Sequence, residues 1–256
     1  MGAPPRHRVL ITGAGSGIGA QLAEHLSGSG HTVVVTDLDA TAALGVAERL
    51  TAAGGVAQGA RLDVANATEV SAVVEAAGPI DVLINNAGLQ QVSSLEQFPT
   101  AAWQHIVNVL LVGTALMTRA VLPGMRARAF GRIVNIGSVH SLVASPYKSA
   151  YVAAKHGLLG LSKTVALEVA DVDITINTIC PAYVHTPLVD AQIAAQAREH
   201  SLAPDQVIGT IMLKPMPKKV FITTEEIAAL TLFLMSDAAR NITAQAIAID
   251  GGWTAQ

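Results

Sequence analysis

Seven short runs of aliphatic and β-branched residues recur along this chain, each followed by an Ala- and Leu-rich stretch of helical length. No other feature constrains the fold as strongly. The runs are Val9–Ile11, Val33–Thr36, Ala60–Leu62, Val82–Ile84, Ile133–Ile136, Ile174–Ile179 and Ala246–Ile249. They are nearly continuous in apolar character, which suits parallel strands covered by helices on both faces. The stretches between them carry helical spacing and N-cap residues, and Asn66 before Glu69 and Thr223 before Glu226 have the outline of capping boxes. Strands alternating with helices predict an α/β fold with a doubly wound seven-stranded parallel sheet, a single domain over residues 1–256. One segment, roughly 188–222, breaks the rhythm and holds Pro204, Pro215 and Pro217. It is expected to form a helical flap at the strand ends, where such folds bind their ligands.

Composition narrows the function classes. The 256 residues carry 16 Lys+Arg against 19 Asp+Glu, a net charge of −3, with no basic cluster beyond Arg6-His7-Arg8 and Lys218-Lys219. Nucleic acid is therefore not an expected partner. A single cysteine excludes an intrachain disulfide framework and a zinc site built mainly from cysteines, and no metal is expected. The 51% apolar content beside 14% charged residues raises the question of a membrane. The best uncharged stretch, Ile106 to Thr118, lies between His105 and Arg119 and falls short of the roughly 20 residues a span needs. Arg6-His7-Arg8 before Val9-Leu10-Ile11 imitates a signal peptide, but glycines at 13, 15, 17 and 19 break its apolar core. Gly2 lacks the hydroxyl residue at position 6 that myristoylation wants, since Arg6 stands there. The expectation is a soluble cytoplasmic protein, with part of its apolar surface buried between subunits.

The first strand runs into Thr12-Gly13-Ala14-Gly15-Ser16-Gly17-Ile18-Gly19-Ala20, and a helix follows at once. Glycines let backbone approach a pyrophosphate, whose charge then meets the amides of a helix N-terminus. An ordinary tight strand-to-helix turn is the plain alternative. Asp37, at the end of the second strand, argues against it, because a carboxylate there accepts hydrogen bonds from ribose hydroxyls and repels a 2′-phosphate. No Arg or Lys lies in the loop or beside Asp37. The expected cofactor is NAD.

Three motifs in order, Thr12-Gly13-x-x-x-Gly17-Ile18-Gly19, Asn85-Asn86-Ala87-Gly88 and Tyr151-x-x-x-Lys155, resemble those of a short-chain dehydrogenase/reductase across essentially the whole chain. The resemblance implies a Rossmann-type domain and cofactor contacts from Gly13, Ser16, Gly17, Ile18, Gly19, Asp37, Asp63, Val64, Asn86, Ala87, Gly88, Tyr151, Lys155, Val184 and Thr186. Tyr151 and Lys155 are four apart and share a helix face. A tyrosine titrates near 10, too high for a base at neutral pH, and a nearby lysine cation favours the phenolate. With Ser138 holding the substrate oxygen, the trio makes a hydride-transfer centre. Relatives are commonly tetramers, so a homotetramer is expected.

Gln90, His140, Lys148 and Gln192 fall where the crevice opens, and one cation, one imidazole and two amides suit a carboxylate. With Ser138 and Tyr151 they form the expected substrate site, for a small hydroxy acid. The duller readings are a solvated Lys148 and a His140 that only caps a strand end, and His185 competes for the imidazole role. Two positions depart from the family. Ala182 replaces the usual glycine after Pro181. Leu110 stands where the family has a helix-bending asparagine that supports a water relay to the lysine, and Asn108, two residues earlier, lies on another helix face. The helix register shifts, other groups carry the relay, or turnover is impaired. Another small secondary alcohol or ketone as substrate, or NAD binding without turnover, are the competing functions.

Overall fold

The computed structural model describes residues 6–186, 189, 193–194, 197–198 and 202–255. Backbone hydrogen bonds join seven strands: β1 (Arg8–Thr12), β2 (Thr32–Asp37), β3 (Val56–Arg61), β4 (Val82–Asn85), β5 (Phe130–Ile136), β6 (Asp173–Pro181) and β7 (Ala246–Ile249). Their order is β3-β2-β1-β4-β5-β6-β7, and every pairing is parallel. The chain winds outward from β1 through β2 and β3, then crosses back to β4 and winds the other way. The Rossmann-type doubly wound sheet is the one the sequence predicts, and its switch point lies between β1 and β4. Both Val33 and Val82 lie beside Val9 in register there. At a switch point the connections diverge and leave a crevice at the carboxyl ends of the strands.

The helices are α1 (Gly17–Gly28), α2 (Ala40–Ala52), α3 (Ala67–Ala77), α4 (Thr100–Val107), α5 (Thr114–Ala127), α6 (Ser149–Glu168), the short α7 (Pro204–Val207) and α8 (Thr224–Met235). Side chains alternate across a strand, so each run feeds two cores. Val9 and Ile11 pack with Leu22 and Leu26 of α1, Val46 of α2 and Ile227 of α8. Leu10 packs on the opposite face with Val70 of α3, Met117, Val121 and Met125 of α5, and Val165 of α6. Each such fully buried side chain contributes on the order of 2 kcal/mol. Thr223 forms its capping box with Glu226, each side chain taking the other's amide. Asn66 caps the amides of Thr68 and Glu69, while the Glu69 carboxylate takes the amide of Asp63 and the Asn66 side chain.

Two expectations change. β3 starts at Val56, four residues before the apolar run, because its pairing with all of β2 sets its length. As an edge strand it alternates exposed and partly buried residues, as β7 does at the other edge. The long helix is also longer than its uncharged core suggests. α4, a π-helical segment at Asn108–Gly113 and α5 run on as 28 residues, with an 18-residue stretch of mean hydropathy 1.7, enough by length and composition to cross a bilayer. Met117, Val121 and Met125 are nevertheless buried against the sheet, and Arg126 reaches Asp171 at 3.0 Å. These are the habits of a helix that covers a sheet.

The switch point is held shut by one clasp. The Thr12 hydroxyl, 2% exposed, accepts the amides of Asn86 and Ala87, both at 3.0 Å. In return the Asn86 side-chain amide donates to the carbonyls of Thr12 at 3.0 Å and Gly13 at 2.8 Å. Gly13 has φ +61° and passes so close that a Cβ would stand 2.6 Å from Ala87 Cα. Thr12→Val keeps the shape and strands two amides, so it should destabilise the protein by about 2–4 kcal/mol in urea unfolding. A loss below about 0.5 kcal/mol would mean that the clasp does not hold the loop.

Candidate active site

The crevice is a cavity of about 600 Å³ at the carboxyl ends of β1, β2, β4, β5 and β6. At one end stand Gly13, Ser16, Gly17 and Ile18 of the glycine loop, Asp37, Asp63, Val64, Asn86, Ala87 and Gly88. Gly19 lies beneath the loop, where a Cβ would meet the Gly13 carbonyl oxygen at 2.4 Å, so its contribution is to loop packing and not to the cavity wall. α1 begins with no side-chain cap from Ser16 and no acidic residue in its first turn. Its leading amides thus face the cavity without a competing carboxylate, as an anion site requires. The Asp37 carboxylate is fixed by the amides of Gly15 at 2.9 Å and Asp39 at 3.0 Å. Acceptor positions remain on both its oxygens for ribose hydroxyls.

Ser138, Tyr151 and Lys155 meet at the middle of the cavity. Ser138 lies two residues past the end of β5 and caps a single turn, Val139–Ser141. Tyr151 and Lys155 share one face of α6 as the spacing predicts. The electrostatics differ from the expectation. Burial pushes the Tyr151 phenol above its ordinary value, against a hydrogen bond from Ser138 that pulls the other way. Burial also lowers Lys155 to about 8. The ammonium donates to the Ile136 carbonyl at 2.6 Å and stands 5.7 Å from the Tyr151 ring centroid. Desolvation therefore outweighs the pull of Ser138 on the phenol, and Tyr151 rests neutral.

Gln90, His140 and Lys148 line the same cavity. Gln192 lies outside the described residues. Lys148 is partly buried at the start of α6, and that burial lowers its pKa, so it is not a solvated loop lysine. His140 is 5% exposed and lowered to about 4, chiefly by burial and further by Lys148 and His156. It is a neutral imidazole at physiological pH and brings no charge to an anion. His185 is exposed, packs on Phe221 and is not among the lining residues. Val184 and Thr186 complete the wall on the β6 side.

Leu110 resolves one of the alternatives left by the sequence. It is buried and lines the cavity, while Asn108 is exposed, so no register shift returns an asparagine to this place. The Leu110 carbonyl accepts the Thr114 hydroxyl at 2.8 Å inside the π-helical segment. Sequence reasoning missed Thr12, Ser145 and Trp253. Thr12 could have been read from its place before Gly13, at a strand end facing β4. Trp253 reaches the cavity because Asp250 folds the tail back, taking the amides of Gly252 and Thr254. Ser145 meets His140 only in three dimensions, at 2.8 Å.

The model of the short chain dehydrogenase family matches residues 7–197. A D-beta-hydroxybutyrate dehydrogenase of Rhizobium meliloti (strain 1021) is 44% identical over 96% of this chain and 98% of its own length. A protein of the same name from Cupriavidus necator is 41% identical over 96% and 97%. A cyclohexanol dehydrogenase from an Acinetobacter species is 35% identical over 96% and 94%.

The burial of His140 has a measurable consequence. Its folded pKa of about 4 lies below the ordinary histidine value of 6.5. Between these values the unfolded chain binds a proton that the folded protein refuses, so stability rises with pH across the window. Lowering the pH from 6.5 to 4 should cost up to about 3 kcal/mol through this residue alone. His140→Asn should flatten that part of the urea stability profile; an unchanged slope would show that His140 is not held neutral.

Proposed function

The chain belongs to the short-chain dehydrogenase family, and from that premise we propose that it oxidises (R)-3-hydroxybutyrate to acetoacetate with NAD, reversibly. The observation that carries the substrate reading is Lys148, a partly buried cation lining the same cavity as Ser138 and Tyr151. A lysine in that setting gains most from a permanent anion, and Gln90 and the neutral His140 add uncharged polar contacts for a carboxylate. The cyclohexanol dehydrogenase relative supports a second reading, an uncharged secondary alcohol, in which Lys148 would be idle.

Gly13, Ser16, Gly17 and Ile18 fit the pyrophosphate, and Asp37, whose charge disfavours a 2′-phosphate, fits the adenosine ribose. When bound, NAD supplies the hydride acceptor. The substrate hydroxyl sits against Tyr151, flanked by Ser138. Tyr151 takes its proton as the hydride leaves the carbinol carbon, and Lys148, with Gln90 and Gln192, holds the carboxylate. A neutral phenol is the form that protonates a ketone oxygen in the reverse direction. In oxidation it must give up its own proton as it accepts the substrate's. Segment 188–222 serves as the substrate flap in this reading, and Val189 lines the cavity beside Thr186. The groove between α5 and α6, with Leu122, Pro123 and Leu161, suits the proposed homotetramer.

NADH formation with (R)- but not (S)-3-hydroxybutyrate is the direct test, and turnover of neither would remove the substrate assignment. Tyr151→Phe should reduce kcat by a factor on the order of 1000 with NAD affinity within about twofold of the parent. Lys148→Ala should raise KM for the hydroxy acid about 100-fold, roughly the value of a charge-assisted contact, and leave KM for cyclohexanol alone. Equal effects on both would place Lys148 outside the substrate site.

A further inference from the structure

Along the chain no cation stands beside Asp37, but across the sheet one does. Arg61, the last residue of the edge strand β3, is the register partner of Asp37, the last residue of β2. Register partners in a parallel sheet stand about 4.8 Å apart and point to the same face, within the reach of an arginine side chain. Leu62 continues the contact, its amide donating to the Asp37 carbonyl at 2.7 Å. The connections that follow the two strands, residues 38–39 and 62–66, hold no other Lys or Arg. Arg61 is therefore the cation placed to meet a phosphate on the ribose that Asp37 fits.

The structure turns it elsewhere. The Arg61 guanidinium donates to Glu69 Oε2 in the first turn of α3, and Arg61 is not among the residues lining the cavity. Two further donors fix Glu69, the Asp63 amide on Oε2 and the Asn66 side-chain amide on Oε1, both at 3.1 Å. Its own amide and that of Thr68 donate to Asn66 Oδ1, at 3.3 and 3.1 Å. The carboxylate is thus anchored by the turn that caps α3, and the arginine is the member of the pair free to swing. Their shared hydrogen bond is the first cause that raises Arg61 and lowers Glu69, so both are charged. The two side chains keep 50% and 30% of their surface exposed, and an ion pair that open is easily exchanged for a better partner.

We propose that Glu69 is a specificity-determining residue: by holding Arg61 away from the crevice it withholds the cation that a 2′-phosphate needs, and so joins Asp37 in selecting NAD over NADP. This rests on the cofactor reading given above. The selection then has two parts on neighbouring strands. The Asp37 carboxylate, fixed by the amides of Gly15 and Asp39, repels the phosphate where it would sit. Glu69 occupies the guanidinium, whose planar fork is the group best suited to a phosphate. Either part works while the other is intact, so the two should be coupled: removing Asp37's charge exposes the contribution of Glu69, and removing Glu69's charge alone leaves the repulsion in place. Glu69 touches no cofactor atom in this account and acts through Arg61.

Binding of NADH and NADPH, followed by their own fluorescence, tests this without turnover. The parent should bind NADH and bind NADPH far more weakly. Asp37→Asn removes the repelling charge at the same shape and should narrow that gap. Adding Glu69→Gln, which still accepts the Asp63 amide, should tighten NADPH about tenfold further and leave NADH within about twofold. Arg61→Gln in that double variant should abolish the gain, and raising the salt concentration should shrink it. No gain from Glu69→Gln would overturn the proposal, as would a gain that survives Arg61→Gln and so reflects only the loss of one negative charge. A second variant leaves Glu69 in place. Arg61→Gln in the Asp37→Asn protein should weaken NADPH less than about threefold, because the guanidinium is already taken. A loss of about tenfold there would show Arg61 serving the phosphate despite Glu69, and the proposal would fall. If the parent binds neither dinucleotide, the cofactor reading falls and this proposal with it. NADH binding with no gain from Glu69→Gln removes this proposal alone.

Discussion

The hydrogen bonds between Thr12, Asn86 and the glycine loop are the constraint on which the site depends. A switch point is where a doubly wound sheet comes apart, because the connections from β1 and β4 leave in opposite directions. The Thr12 hydroxyl binds the two amides that start the β4 turn, and Asn86 returns its side-chain amide to the two carbonyls that start the β1 loop. The turn and the loop thereby become one surface. The tight approach of Gly13 to Ala87, the uncapped start of α1 and the carboxylate of Asp37 then fall along one wall of the cavity. Without the clasp, two sets of backbone groups would need water at the place where the proposed cofactor would bind.

Burial governs the chemistry at the other end. Tyr151, Lys155, His140 and Lys148 are all shifted toward their neutral forms, and in each case desolvation is the largest cause. Charge is therefore costly in this cavity unless it arrives with a partner. That condition favours a substrate bringing its own anion to Lys148, and proton movements in which no intermediate ion is stored. A neutral tyrosine, and a neutral imidazole held between the Ser138 and Ser145 hydroxyls, are groups that do not store a charge.

The α4–α5 helix shows what a sequence conceals. Leu110 could be placed by spacing from Trp103, and its departure from the family pattern was visible. Whether Asn108 compensates could not be read, because a π-helical segment changes the angular step between residues and only packing selects it. The same holds for Lys148 and His140. The sequence placed both near the crevice, but their protonation depends on neighbours distant along the chain, among them Trp253, which the Asp250 turn folds back. His185 competes for the imidazole role by sequence, and only the fold shows its side chain on Phe221 and outside the cavity lining.

Local rules settled much on their own. Apolar runs separated by capped helices dictated a parallel doubly wound sheet, since strands hydrophobic on both faces have no other way to be covered. The glycine loop, Asp37 and the Tyr151–Lys155 spacing located the site because each needs only a few adjacent residues to be recognised. Tertiary structure alone decided the edge registers of β3 and β7, the burial that holds Tyr151 and His140 neutral, and the placing of the His140 ring between Ser138 and Ser145. Those properties belong to distances between side chains and to the water excluded around them. Neither is encoded in the spacing of residues along a chain.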